Sequence, residues 1–295
     1  MPNVTANGIQ IEYDTFGDSS SSALLLVAGN GAQIYFWDAE FCQLLVKKDF
    51  FVIRFDNRDA GLSTKFDEAG IPDFPAAIKA AMEGKPVESA YSLDDMADDA
   101  VGLLDALGIE KAHICGASMG GMIAQVISYR HPKHVLSLTS IMSTTGNPDL
   151  PQGKPDALAA VLAPAPAERQ AYVEHMINVW RKIWSPGFPF EEKRARTFIE
   201  KSYDRSYYPQ GAVRQNIALL ANGDRRRSLS TIAVPTLVIH GADDPLIPVE
   251  GGKDTARVIP GAKLFIISGM GHDMPKGVWA EIVDAISKHA VQANV

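Results

Sequence analysis

A chain of 295 residues, 46% hydrophobic and 21% charged, is long enough for one large core with an inserted segment and needs no disulfide staples to hold it. Its formal net charge of -7 argues against nucleic acid or an anionic membrane as the main partner. The only cysteines, Cys42 and Cys115, exclude a disulfide framework and fit a reducing, cytoplasmic compartment. Met1 to Phe16 show no basic stretch leading into an apolar run, as a secretory signal would, and no later apolar run exceeds strand length, so no membrane span is expected.

The first patterned stretch, Gly8 to Phe16, alternates through Ile9, Ile11 and Tyr13, which predicts an antiparallel edge element with one wet face. Apolar runs then recur between helical patterns. Leu24 to Ala28, Phe51 to Phe55, Ala112 to Cys115, Leu136 to Met142, Thr236 to His240 and Lys263 to Ile267 read as core strands, and their continuous hydrophobicity predicts burial on both faces. Strands alternating with helices specify a mostly parallel α/β sheet. The clearest helix spans Leu93 to Leu107, with Met96, Ala97, Ala100, Val101, Leu104 and Leu107 as its apolar stripe. Ser92 and Asp95 form a capping box before it, and Gly108 ends it.

Two stretches break the alternation, and both fall where α/β sheets bind ligands. Thr64 to Tyr91 is a long connection with Phe66, Ile71, Phe74 and Met82 among prolines and glycines. Thr144 to Arg227 opens with a Pro- and Ala-rich lead-in, Pro148 to Pro166, and continues as helical segments rich in aromatics. It reads as an inserted helical cap over residues 144–227, between core segments 1–143 and 228–295. The run Arg225, Arg226, Arg227 at its end reads as a solvated surface cluster.

The chemistry centres on Gly116-Ala117-Ser118-Met119-Gly120-Gly121, which follows the strand ending at Cys115 and precedes the helical Met122 to Tyr129. A serine on so sharp a strand-to-helix turn is strained and crowded, a conformation that flanking glycines tolerate cheaply. As an ordinary glycine-rich cap, Ser118 would only close a helix end; the strand before it favours the nucleophile. A serine hydroxyl needs a histidine base oriented by a carboxylate. His113 lies inside a strand, His131 and His134 follow the elbow helix, His175 is in the insertion, His240 ends a strand and His289 lies near the C-terminus. His272 instead follows the last strand through Ser268-Gly269-Met270-Gly271, a loop able to carry an imidazole over the sheet's carboxyl edge. Two aspartates compete for the acid. Asp244 precedes Pro245, which biases it to extended backbone, leaving Asp243 to serve the turn, so Asp244 is preferred. Charge developing on a tetrahedral intermediate calls for two amide donors, assigned to Met119 and, in the glycine-rich loop Val27 to Gln33, to Asn30.

These residues resemble the α/β-hydrolase superfamily of serine hydrolases over nearly the whole chain, and Ser118, Asp244, His272 follow its triad order. Within it, Ala28-Gly29-Asn30-Gly31 and Phe55-Asp56-Asn57-Arg58-Asp59-Ala60-Gly61-Leu62-Ser63 are similar to the aclacinomycin methylesterase group of carboxylesterases. The resemblance implies a mostly parallel eight-stranded sheet, a helical cap after strand six, Asp244 as the acid, and no metal or other cofactor. Asp56 to Ser63 reads as a structural brace near the elbow. Many relatives carry a histidine where this chain has Ala28, which puts the bonds bracing that loop in question, though not its amide. The implied activity is hydrolysis of a small or medium apolar ester through an acyl-enzyme, by a monomer or homodimer. The aromatic cap suits an apolar substrate portion, with Trp180 and Trp184 assigned to it, although cap aromatics more often pack against their own helices. Carbon-carbon bond hydrolysis or perhydrolysis on the same triad is a second reading, and a ligand receptor with vestigial hydrolysis a third. Ser118 in place of an elbow aspartate demotes the dehalogenase and epoxide hydrolase branches.

Overall fold

The strands of the computed structural model, which describes residues 1–293, are β1 (Asn3–Ala6), β2 (Ile9–Phe16), β3 (Ser22–Val27), β4 (Phe50–Phe55), β5 (Ala112–Ala117), β6 (Val135–Ile141), β7 (Thr236–Gly241) and β8 (Lys263–Ile267). They form one eight-stranded sheet in the order β1-β2-β4-β3-β5-β6-β7-β8. β1 and β2 pair antiparallel, β2 joins β4 antiparallel, and every pairing from β4 to β8 is parallel. This is the α/β sheet that the alternating pattern predicts. β1 went unread, because four residues with one buried position carry too little periodicity.

Helices α1 (Ala39–Val46), α2 (Phe74–Met82), α3 (Leu93–Ala106) and α4 (Met119–Arg130) lie between the strands up to β6. Between β6 and β7 come α5 (Pro155–Leu162), α6 (Arg169–Ile183), α7 (Glu192–Arg205), α8 (Pro209–Asn222) and the short α9 (Arg226–Leu229). α10 (Val249–Val258) separates β7 from β8, and α11 (Lys276–Ala293) ends the described chain. The capping box of α3 is formed: Asp95 N–H donates to Ser92 Oγ at 3.1 Å, and Ser92 N–H to Asp95 Oδ2 at 2.7 Å.

Because side chains alternate along a strand, the mostly apolar central strands feed two cores at once. Leu25, Val27, Ile53, Phe55 and Ile114 pack with α3 and α4 on one face. Leu24, Leu26, Val52, Cys115 and Ile239 pack with α1 and α11 on the other. β8 departs from the expected two-sided burial: Lys263, Leu264 and Ile266 are exposed, since β8 is an outer strand with a neighbour on one side only. Among the described residues no helix is long and apolar enough to cross a membrane.

The arginine run is a second correction. Arg227 is exposed and Arg226 pairs with Asp224, but Arg225 is buried. Its guanidinium donates to Thr144 O at 2.7 Å, Asn222 Oδ1 at 2.9 Å and Gln125 Oε1 at 3.4 Å, while its N–H donates to Thr145 O at 2.9 Å. Burial pulls its pKa down to about 10, which still leaves it charged at neutral pH. Arg225 therefore joins the two ends of the segment inserted between β6 and β7, and fastens both to α4.

Candidate active site

Ser118 stands between β5 and α4 with φ 56° and ψ -122°, a strained conformation for a residue with a side chain. The turn is tolerated because its neighbours lack Cβ atoms. A Cβ on Gly116 would lie 2.0 Å from Gly120 O, and one on Gly120 2.1 Å from Val27 O. Ser118 N–H donates to Ile141 O at 2.9 Å, and Ser143 Oγ donates to Ser118 O at 2.9 Å, so both sides of the turn are anchored to β6 and the residues just beyond it.

Three side chains distant in sequence meet here. His272 Nε2 lies 3.0 Å from Ser118 Oγ, and His272 Nδ1 lies 2.8 Å from Asp244 Oδ2. The other carboxylate oxygen of Asp244 accepts the N–H groups of Leu246 and Ile247, each at 2.9 Å. Burial alone would raise this carboxyl. The charge of His272 and hydrogen bonds from His240 and His272 outweigh it and hold Asp244 well below the usual carboxylate range. Asp243 is exposed, and its carboxylate accepts Gly269 N–H at 2.9 Å.

The loop after β3 runs alongside Ser118, since a Cβ on Gly29 would lie 3.4 Å from Ser118 Cβ. Among the described residues, neither Asn30 N–H nor Met119 N–H has an acceptor within the protein. Asn57 Nδ2 donates to Ala28 O at 3.0 Å, and Asp56 Oδ1 accepts Ile34 N–H at 2.7 Å, so the Asp56 to Ser63 stretch does brace this loop.

Trp180 and Trp184 lie in the inserted segment, Trp184 O being 2.6 Å from where a Cβ on Gly271 would stand. They stack at 6.5 Å between ring centroids, and pack on Phe198 at 5.2 Å and Phe190 at 4.9 Å. Trp184 Nε1 donates to Phe188 O at 3.1 Å, and Val173, Ile177, Ala195 and Ile199 complete this small core within the insertion.

Several residues around the cluster escaped sequence reasoning. His240 Nε2 lies 3.5 Å from Asp244 Oδ2 and 2.9 Å from Ile247 O; its place four residues before the acid, at a strand end, was the available signal. Ser185 accepts Gly271 N–H at 2.8 Å and donates to Asp273 Oδ1 at 2.6 Å, and Ile183 O accepts His272 N–H at 2.9 Å. Burial raises Asp273 to about 7, against the hydrogen bonds from Ser185. Gln215 of α8 bonds the loop at Gly31. Nothing in the local sequence marks Ser185, Asp273 or Gln215.

A sequence profile described as alpha/beta hydrolase fold matches residues 22–275. The chain is 27% identical to rhodomycin D methylesterase DnrP of Streptomyces peucetius, over 99% of this chain and 98% of that protein. It is 24% identical to the bifunctional esterase/perhydrolase DCH of Acinetobacter calcoaceticus, over 92% of each. Among solved structures, a meta-cleavage product hydrolase from Pseudomonas fluorescens superposes with a TM-score of 0.77 at 22% identity, covering 99% of this chain and 98% of that one.

Proposed function

The chain belongs to the alpha/beta hydrolase fold family, and on that footing we propose that it is a carboxylic ester hydrolase with Ser118 as nucleophile, His272 as base and Asp244 as the orienting acid. One observation carries the reading: the unbroken relay of 3.0 Å from hydroxyl to imidazole and 2.8 Å from imidazole to carboxylate. Ser118 Oγ attacks the ester carbonyl as its proton passes to His272 Nε2. The carbonyl oxygen, now an anion, faces the free N–H groups of Asn30 and Met119, each donor contributing roughly 3 kcal/mol. Collapse of this intermediate expels the alcohol, which takes the proton back from His272. Water then gives a proton to His272 and attacks the acyl carbon; the C–Oγ bond breaks, releasing the acid, and Ser118 Oγ takes that proton back from His272. The similarity to a methylesterase over nearly the full length of both chains supports a carboxylic ester as substrate. Two buried free cysteines fit a cytoplasmic setting.

The test is hydrolysis of p-nitrophenyl acetate by Ser118→Ala. Turnover is expected to fall to the uncatalysed background with an unchanged circular dichroism spectrum; retention of wild-type turnover would refute the assignment. Similarity to an esterase/perhydrolase favours one second reading, peracid formation from acetate and hydrogen peroxide on the same residues. Peroxide-dependent bromination of monochlorodimedone in acetate buffer, absent in Ser118→Ala, would establish it.

A further inference from the structure

We propose that Gln215, on helix α8 of the insertion, is the positioning residue that aims the Asn30 N–H at the reacting carbonyl oxygen. The proposal rests on the hydrolase reading above and concerns how its oxyanion site is held.

The loop has little of its own to hold it. Ala28 offers no side-chain hydrogen bond, and Gly29 and Gly31 offer no side chain at all. Its one internal tie is a turn in which Ala32 N–H donates to Gly29 O at 3.2 Å. In a trans peptide the carbonyl and the following N–H point opposite ways. Holding Gly29 O on the Ala32 side therefore turns the Asn30 N–H away from the turn's interior. That bond fixes the Asn30 N–H only relative to the turn: the turn as a whole can still swing about its glycines, Gly31 standing at φ +63° where glycine meets no steric cost, and carry the Asn30 N–H with it.

Gln215 removes that freedom. It is fully buried, and its Oε1 accepts Gly31 N–H at 2.7 Å, with Asn30 Nδ2 at 3.5 Å. Its Nε2 donates to Arg58 O at 2.7 Å, so the amide is fixed at both ends and cannot rotate away without stranding a buried donor or acceptor. One helical turn earlier, Ala212 O accepts Asn30 Nδ2 at 3.0 Å. The close fit is steric as well as polar: a Cβ on Gly31 would lie 2.9 Å from Ala212 Cβ. α8 is itself immobilised against the brace segment. Arg214 clamps Asp59 through bonds of 2.7 and 2.9 Å, and a Cβ on Gly211 would lie 2.0 Å from Asp59 O. An element outside the sheet thus sets the geometry of a donor at the sheet's edge.

A residue acting through orientation leaves a particular kinetic trace. Gln215→Met keeps the volume and removes both bonds. It is expected to lower kcat on p-nitrophenyl acetate about tenfold to a hundredfold, less than the roughly 10²- to 10³-fold loss when a donor is removed outright, with KM within about twofold. Affinity for an aryl boronate, which forms a tetrahedral anion on the serine, should fall in the same proportion as kcat/KM. Asn30→Ala, which keeps the backbone donor and the Gly31 bond to Gln215 but cuts the side-chain ties to Ala212 and Gln215, should move the same parameters in the same direction by less. Ile286→Val, at a buried position of α11 that makes none of the loop's hydrogen bonds, controls for plain loss of stability and should leave kcat unchanged. Wild-type kcat and boronate affinity in a folded Gln215→Met would overturn the proposal while leaving the hydrolase reading intact. A wild-type protein that neither turns over the ester nor labels at Ser118 with a fluorophosphonate would overturn both.

Discussion

Replacing Asp244 by asparagine tests the relay at its most constrained point, because the surrounding backbone dictates how the new amide must sit. Oδ1 of Asp244 accepts two N–H groups, from Leu246 and Ile247, while Oδ2 faces His272 Nδ1 at 2.8 Å. An asparagine that keeps its oxygen on the two N–H donors must turn its NH2 toward His272. The flipped amide would leave two partly buried N–H groups facing a donor, at about 1 kcal/mol each. Only His240 Nε2, 3.5 Å from Oδ2, opposes the first orientation, and that separation is too long for a strong bond. With NH2 facing it, Nδ1 must be the bare nitrogen, so the proton moves to Nε2. That nitrogen then meets Ser118 Oγ as a donor and cannot take its proton. A wrong tautomer of this kind costs about 10⁴ in kcat, or on the order of 5 kcal/mol, in the serine protease template. The assay is initial-rate hydrolysis of p-nitrophenyl acetate from pH 6 to 9, with melting temperature as a folding check. Asp243→Asn, altering the exposed neighbour, should stay within about twofold of wild type. A folded Asp244→Asn within tenfold of wild-type kcat would refute the reasoning.

The remaining expectations concern stability. Asp273, raised by burial from 3.8 to about 7, binds its proton more tightly folded than unfolded. The folded state should therefore lose stability as pH rises from about 4 to about 7. Asp273→Asn removes that slope, so its melting temperature should gain on the wild type between pH 5 and 8; a constant difference would contradict the assignment. Arg225→Met strands Thr144 O and Asn222 Oδ1 and should cost about 2–4 kcal/mol by urea unfolding, whereas Arg227→Ala should stay within about 0.5 kcal/mol. Equal losses in the two variants would mean that Arg225 does not fasten the insertion.

What could be read from the sequence was what local chemistry dictates. The strained serine needs Gly116 and Gly120 wherever the rest of the chain goes, and the cap of α3 is settled within four residues. Continuous apolar runs announce strands covered on both faces, but they do not say which strand ends the sheet. β8 looks like its neighbours in composition and is exposed because of its place in the strand order. The three consecutive arginines are locally equivalent. Only the return of the chain onto α4 singles out Arg225 for burial, a long-range event with no local mark.

The insertion shows the same divide more sharply. Its aromatic content suggests a wall for an apolar substrate, yet Trp180, Trp184, Phe190 and Phe198 pack on one another. What the insertion sends to the site's loops is polar side chains and backbone: Gln215 at the Asn30 loop, Ser185 at the histidine loop, Ile183 O on the His272 N–H, and Gly187, whose N–H donates to Gly269 O at 2.9 Å. Large rings gain most by leaving water together, whereas backbone loops need hydrogen-bond partners and close approach, which amides, hydroxyls and glycines supply. Both loops flanking Ser118 are therefore bonded to the same inserted segment. It cannot shift as a rigid body without breaking the bonds at Gly31, Gly269, Gly271 and His272, at about 1 kcal/mol each. Any displacement of the insertion by a ligand is thus felt at once at His272 and at the loop that carries the Asn30 N–H.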